Sequence, residues 1–171
     1  MKRIITFILA VCTFTLVACG SNRYVLTEKT FFLVMTNVQY YPEQYVGKDF
    51  EYDCFTYSLK DIGGREYTCG VRKCSAGYGC TCGQDTIIGF ILDYDGYIPE
   101  PVNQSGEDNF KTWVHLKGKI SSANKTDIKI YAYKDGNVDY NTVETISFLT
   151  FDIETIEKIN DYSQLSFYVT K

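Results

Sequence analysis

Asp49-Phe50-Glu51-Tyr52-Asp53-Cys54-Phe55-Thr56-Tyr57-Ser58-Leu59 alternates with the two-residue period of a β-strand. Successive strand side chains point to opposite faces. Phe50, Tyr52 and Cys54 therefore share one face, and Phe55 and Tyr57 share the other. Gly63-Gly64 follows as a hairpin signal, and Glu66 to Lys73 returns as the partner strand. Thr86 to Tyr94 (TIIGFILDY) is apolar on both faces, which predicts a central strand that Asp95-Gly96 ends.

The pattern continues on both sides of this hairpin. Upstream, Thr30 to Asn37 (TFFLVMTN) is a buried-looking run, and Tyr41 to Lys48 is a turn or short helix closed by Gly47. Downstream, Pro99 to Lys111 is polar and reads as a loop. Thr112 to Ser121 alternates, with Val114 and Leu116 inward and Trp113, His115 and Lys117 outward. Asp127 to Tyr133 and Thr145 to Phe151 are two more strands around the turn-like Asp135-Gly136-Asn137, and Ser166 to Thr170 is a short last one. Asp152 to Asn160 is the one helical candidate: Asp152 caps it, and Ile153, Ile156 and Ile159 recur at three. The chain is 16% aromatic, with 15 Tyr and 11 Phe, which suits pleated, half-buried surfaces. The expected fold is all-β, a small barrel or sandwich with one short helix near the C-terminus.

The first residues read as an address. Lys2 and Arg3 precede the apolar run Ile4 to Val17, which has the shape of a signal-peptide core. The run ends Leu16-Val17-Ala18-Cys19, which resembles a bacterial lipoprotein lipobox. The resemblance implies cleavage before Cys19, diacylglycerol on its sulfur, and an extracytoplasmic protein held on the membrane. Residues 1–18 are then signal peptide, 19–29 a lipidated tether, and 30–171 a single domain. Loss of Lys2 and Arg3 takes the net charge from −4 to −6, because residues 1–18 hold no acidic side chain. An acidic domain argues against nucleic acid as a partner. Apolar content of 45% with 22% charge excludes a disordered chain.

Three pieces occur in order: Tyr41-Pro42-Glu43-Gln44-Tyr45-Val46-Gly47-Lys48, Gly79-Cys80-Thr81-Cys82-Gly83-Gln84-Asp85, and Trp113-Val114-His115-Leu116-Lys117-Gly118-Lys119-Ile120. Together, over roughly residues 35–155, they resemble the C-terminal soluble domain of an uncharacterised bacterial repeat-protein family. Its members are typically membrane proteins encoded beside predicted permeases. The first and third pieces also resemble OB-fold domains generally. Cys82 and Asp85 match the family position for position, whereas Thr81 stands where the family has a cysteine. The resemblance implies an OB-like barrel, an envelope location, a permease or other envelope protein as neighbour, and no known activity.

Chemistry concentrates in the cysteines. Cys12 leaves with the signal, and the mature domain keeps Cys54, Cys69, Cys74, Cys80 and Cys82. Four of these five lie within fourteen residues interrupted by glycines. Three readings stay open, the last of them redox exchange or free buried cysteines. In one, Cys74, Cys80 and Cys82, with Cys69 as a fourth ligand and Asp85 in support, hold a soft cation such as zinc, with Arg72 and Lys73 favouring thiolate. In another the cysteines form a disulfide framework, as an extracytoplasmic address favours, and Cys54 pairs with Cys69 across the hairpin. A two-residue turn would set Cys54 opposite Lys73, so that bond needs a bulge or a longer turn. No C-x-x-C, G-x-S-x-G or H-E-x-x-H motif is present. His115, the single histidine, reads as a strand surface residue, and Asp93, Asp95 and the acidic pair at 107–108 read as solvated loop. The expectation is binding rather than catalysis: a metal-handling accessory to a permease, or a stapled module that recognises a protein or an oligomeric ligand.

Overall fold

The computed structural model describes residues 22–74, 86–100, 112–134, 137–166 and 168–169. The fold is all-β with one short helix. The elements are β1 (Arg23–Val25), α1 (Phe31–Tyr40), a 3-10 turn (Pro42–Gln44), β2 (Asp49–Lys60), β3 (Glu66–Cys74), β4 (Thr86–Asp93), β5 (Trp113–Lys134), β6 (Asn137–Lys158) and β7 (Tyr168–Val169). The expected strands at 49–59, 66–73, 86–94 and 112–121 are all present, and so is a last short strand within 166–170. Gly47 and Gly64 both take positive φ, 74° and 86°, which closes the 41–48 turn and the β2–β3 hairpin where glycine carries no steric cost.

The sheet runs β1-β2-β5-β6-β4-β3-β7, and β2 also pairs with β3. The pairings among β2, β5, β6, β4 and β3 thus return to their starting strand. Neighbours are antiparallel except for β1–β2, β4–β6 and β3–β7. Glycine permits two close approaches in this cycle. A Cβ on Gly89 would lie 2.0 Å from the Gly70 carbonyl oxygen, and one on Gly118 would lie 2.1 Å from that of Asp152.

One face of β2 is buried from Phe50 to Thr56, and the other carries half-buried Glu51 and Asp53 before Phe55 and Leu59 are buried on it. Phe50, Tyr52 and Cys54 join a first cluster with Phe31, Met35, Val38, Phe90, Leu116 and Phe151. Phe90 and Phe151 stack at 5.2 Å, with Phe50 and Tyr52 edge-on to both. Phe55 joins a second cluster with Leu59, Cys69, Val71, Trp113, Ile128 and Phe148.

Four expectations are corrected. Residues 152–160 are the end of β6 and the segment after it, not a helix. The helix lies near the N-terminus, at Phe31–Tyr40, where Phe31, Met35 and Val38 turn inward. Trp113 faces inward: it meets Phe55 edge-on at 5.6 Å and stacks on Tyr162 at 6.2 Å, because the segment after β6 covers that face. Residues 23–29 belong to the fold rather than to a tether, since β1 pairs with β2 and Leu26 is buried.

Arg72 joins these parts. It is 1% exposed. Its guanidinium donates to Glu28 at 2.7 Å, to the Asp53 carbonyl at 3.3 Å and to the Ser166 carbonyl. It also lies over the rings of Trp113 (4.9 Å) and Phe31 (5.4 Å). One side chain therefore holds the N-terminal segment, β2, the helix, β5 and the C-terminal segment together.

Candidate functional site

Tyr57 lies opposite Cys69 in the β2–β3 register, so Cys54 lies three residues from that partner. An odd offset places the two sulfurs on opposite faces, and they belong to different clusters. Both are free and buried, which corrects the expected Cys54–Cys69 bond. Cys69 and Cys74 are five residues apart on β3 and also divide between the two clusters. Cys69 therefore cannot share a cation with Cys74. Cys19, Cys80, Cys82 and Asp85 lie outside the described residues. Burial pushes the Cys69 thiol up to about 12. Burial also raises the Cys54 thiol, and this outweighs the opposing pull of Arg72. Neither sulfur is poised as a thiolate ligand or nucleophile.

A charged ladder runs across β1, β2 and β5. Asp53 and Glu51 alternate outward on β2, facing His115 and Lys117 on β5. His115 Nδ1 lies 2.6 Å from Asp53 Oδ1, and its Nε2 lies 3.1 Å from Glu51 Oε1. Lys117 Nζ is 3.6 Å from the same Glu51 oxygen, and Arg23 of β1 pairs with the other. His115 is half-buried on the outer face, where the alternation put it. Its two carboxylates engage different ring nitrogens, so the three groups do not converge on one point. Among the described residues, no hydroxyl or thiol hydrogen-bonds His115. The ladder ties strands together and lacks the nucleophile that a triad would need. Sequence could not reveal it, because β2 and β5 are distant in the chain and nothing local sets their register.

The third feature is an arm. β5 pairs with β2 only as far as Lys119, and β6 pairs with β4 only from Leu149 onward. Between these limits the two strands pair with each other, from Lys125–Leu149 to Lys134–Asn137. The Ile62 amide of the β2–β3 turn donates to the Lys129 carbonyl at 2.9 Å and rests the arm on the body. Ile128 and Phe148 are buried at its base.

Farther out, a bulge changes what the arm shows. Tyr131 lies opposite Val143 and Ala132 opposite Asp139, so residues 140–142 are extra on β6. Asp139 holds the bulge: its carboxylate accepts from the Asn141 amide at 2.9 Å and from the Thr142 hydroxyl at 2.8 Å. These bonds, the backbone one foremost, draw the Asp139 carboxyl below its usual range. The bulge throws Tyr140 outward, 72% exposed, and sets it edge-on to Tyr131 at 5.1 Å. Val138 and Val143 are exposed beside them. Bulges commonly re-aim a side chain in this way.

No family model, curated protein or solved structure matches this chain.

Among the described residues, the Cys69 thiol is buried apart from Cys54 and Cys74, and the histidine is engaged by two carboxylates. The arm offers aromatic and aliphatic side chains to solvent on a backbone fixed by a bulge. Tyrosine contributes large contact area for little lost conformational freedom, which favours recognition. A single two-stranded ribbon is also marginally stable alone, so an outer arm gains from a partner.

Proposed function

We propose that this protein is a lipid-anchored, extracytoplasmic recognition module with an OB-like barrel body, and that it binds a protein of the cell envelope through its aromatic arm. The observation that carries this reading is the Asp139-held bulge that pairs Tyr140 with Tyr131 in solvent. The barrel is supported by the five strands whose pairings close through β2–β3, with one parallel pair in an otherwise antiparallel cycle. The anchor is supported by the sequence Leu16-Val17-Ala18-Cys19 after a signal-like run. The permease-associated role implied by the family resemblance becomes, in this reading, contact with a membrane protein rather than metal handling. Cys69 does not fit as the fourth ligand of a zinc site, because it and Cys74 face opposite sides of β3; the core ligands Cys80 and Cys82 lie outside the described residues. The stapled variant of the module also loses its Cys54–Cys69 staple.

The test is a photo-crosslinking amino acid at position 140 in cells, with the same group at exposed Lys29 as control. Position 140 is expected to yield one dominant adduct with an envelope protein, identified by mass spectrometry and lost in Tyr131→Ser. No adduct at position 140, or the same adducts from both positions, overturns the reading.

A further inference from the structure

We infer that the end of the domain bearing Tyr40, Tyr41 and Val46 is a membrane-contact surface that lies against the bilayer holding the anchor. The inference rests on the lipid-anchor reading and adds an orientation to it. It starts from where the chain enters the fold. β1 begins at Arg23, and the Asp49 amide donates to the Asn22 carbonyl at 2.8 Å. Only Gly20, Ser21 and Asn22 separate Arg23 from Cys19. Four steps of ~3.5 Å put a lipidated Cys19 no farther than roughly 14 Å from Arg23. So short a link leaves the domain little choice of which end meets the headgroups.

The same end carries unpartnered apolar surface. Lys48 Nζ donates to the Asn22 side chain at 2.8 Å, and Tyr45 packs on Tyr24 of β1 at 5.4 Å. The 41–48 turn is thus fixed beside the point of entry. Val46 bridges to Ile120, and its side chain is exposed. At the other side of the turn, Tyr40 is 75% and Tyr41 56% exposed, with their rings 6.4 Å apart.

The helix leading to them, FFLVMTNVQY, contains no charged residue, and Leu33 and Tyr40 stand on its exposed side. A surface helix in water normally opposes its apolar stripe with charge. Tyrosine pairs an apolar ring with a polar tip, and it concentrates at membrane–water interfaces.

Charge does not explain this end. Glu43 and Asp49 stand near Lys48, and Lys125 donates to the Gln39 carbonyl at 2.7 Å. Contact should therefore depend on the rings and not on anionic lipid.

The test uses the full chain, matured in cells and reconstituted in phosphatidylcholine vesicles with or without brominated acyl chains. Mass spectrometry of the mature N-terminus first reads the lipid on Cys19. Tyr41→Trp or Tyr40→Trp supplies a reporter, with buried Trp113 as constant background. Lys29→Trp places a control before the far end of a ten-residue helix, about 15 Å away. Bromolipid should cut the reporter emission at position 41 about twofold or more and leave the control unchanged. An N-terminus without acyl mass overturns the anchoring reading, and this inference with it. Acylated protein with no quenching at position 41, or equal quenching at both positions, overturns the orientation alone. Shielding of position 41 from aqueous acrylamide without bromolipid quenching would assign the patch to a protein or a second copy instead, and would also overturn it.

Discussion

Arg72→Met should lower the unfolding free energy by about 3 kcal/mol, read as a fall in the urea midpoint with an unchanged slope. Methionine replaces the aliphatic stem and much of the volume, so little cavity forms. What is lost is hydrogen bonding and charge. The Asp53 and Ser166 carbonyls each lose a charged donor at a part-buried site, and each such hydrogen bond contributes ~0.5–1.5 kcal/mol net. The stacking over Trp113 and Phe31 goes as well, a further ~0.5–2 kcal/mol. The ion pair itself matters less, because the Glu28 side chain is 34% exposed and water screens it. Glu28→Gln should therefore cost under about 1 kcal/mol. A larger loss from Glu28→Gln than from Arg72→Met would show that the ion pair, and not the backbone clasp, closes this end.

The second large effect is Gly89→Ala, which should cost about 3 kcal/mol, the upper part of the range for overpacking. The added methyl would sit 2.0 Å from the Gly70 oxygen and 2.9 Å from the Val71 Cα. Both are backbone atoms of β3, so no side chain can rotate away, and β3 and β4 must separate. Their register runs from Cys69–Ile91 to Cys74–Thr86, so the separation disturbs one closing step of the five-strand cycle. Gly47→Ala is the comparison. Nothing lies within 4 Å there, and only its φ of 74° opposes a side chain, so ~1 kcal/mol is expected. Equal midpoints for Gly89→Ala and the parent would mean that the two strands are not in this contact.

Much of the fold was legible because β2 alternates, with Phe50, Tyr52 and Cys54 on one face and Phe55 and Tyr57 on the other. Phe50, Tyr52 and Cys54 lie in one cluster and Phe55 in the other, as parity alone requires. The failures have physical causes. Gly118 pairs with Ile153 and Lys117 with Thr155, so Glu154 is an extra residue in a bulge. The bulge keeps Ile153 and Ile156 both against the first cluster although they are three apart, and that spacing imitates a helix. In 31–40 the helical period is real, at Phe31, Met35 and Val38, but Phe32, Leu33 and Val34 fill the gaps and hide it. Alternation sets Trp113 outward because it cannot show that a later segment covers the second face.

The candidate site was less legible. Cys69 lies in the expected strand Glu66–Lys73 and Cys74 one residue past its expected end, so only the longer strand of the structure, which reaches Cys74, sets the two sulfurs on opposite faces. Tyr140 gave no local signal, because its exposure follows from a three-residue bulge set by pairing with Tyr131. The carboxylates around His115 depend on a register between distant strands that no local pattern encodes.

Cys54 and Cys69 are buried apart, on opposite faces, in the protonated form. Cysteine-resolved alkylation with iodoacetamide, without reductant or chelator, tests this directly. Thiolate is the reacting form, and Cys69 stays protonated until about pH 12. Raising the pH from about 7 to about 9 should therefore speed alkylation of the urea-unfolded chain, where thiols ionise near 8.5, and leave native Cys54 and Cys69 unmodified. Unfolding should then expose both as free thiols. A Cys54–Cys69 crosslinked peptide, or a native Cys69 that becomes reactive when a chelator strips bound zinc, would contradict the account.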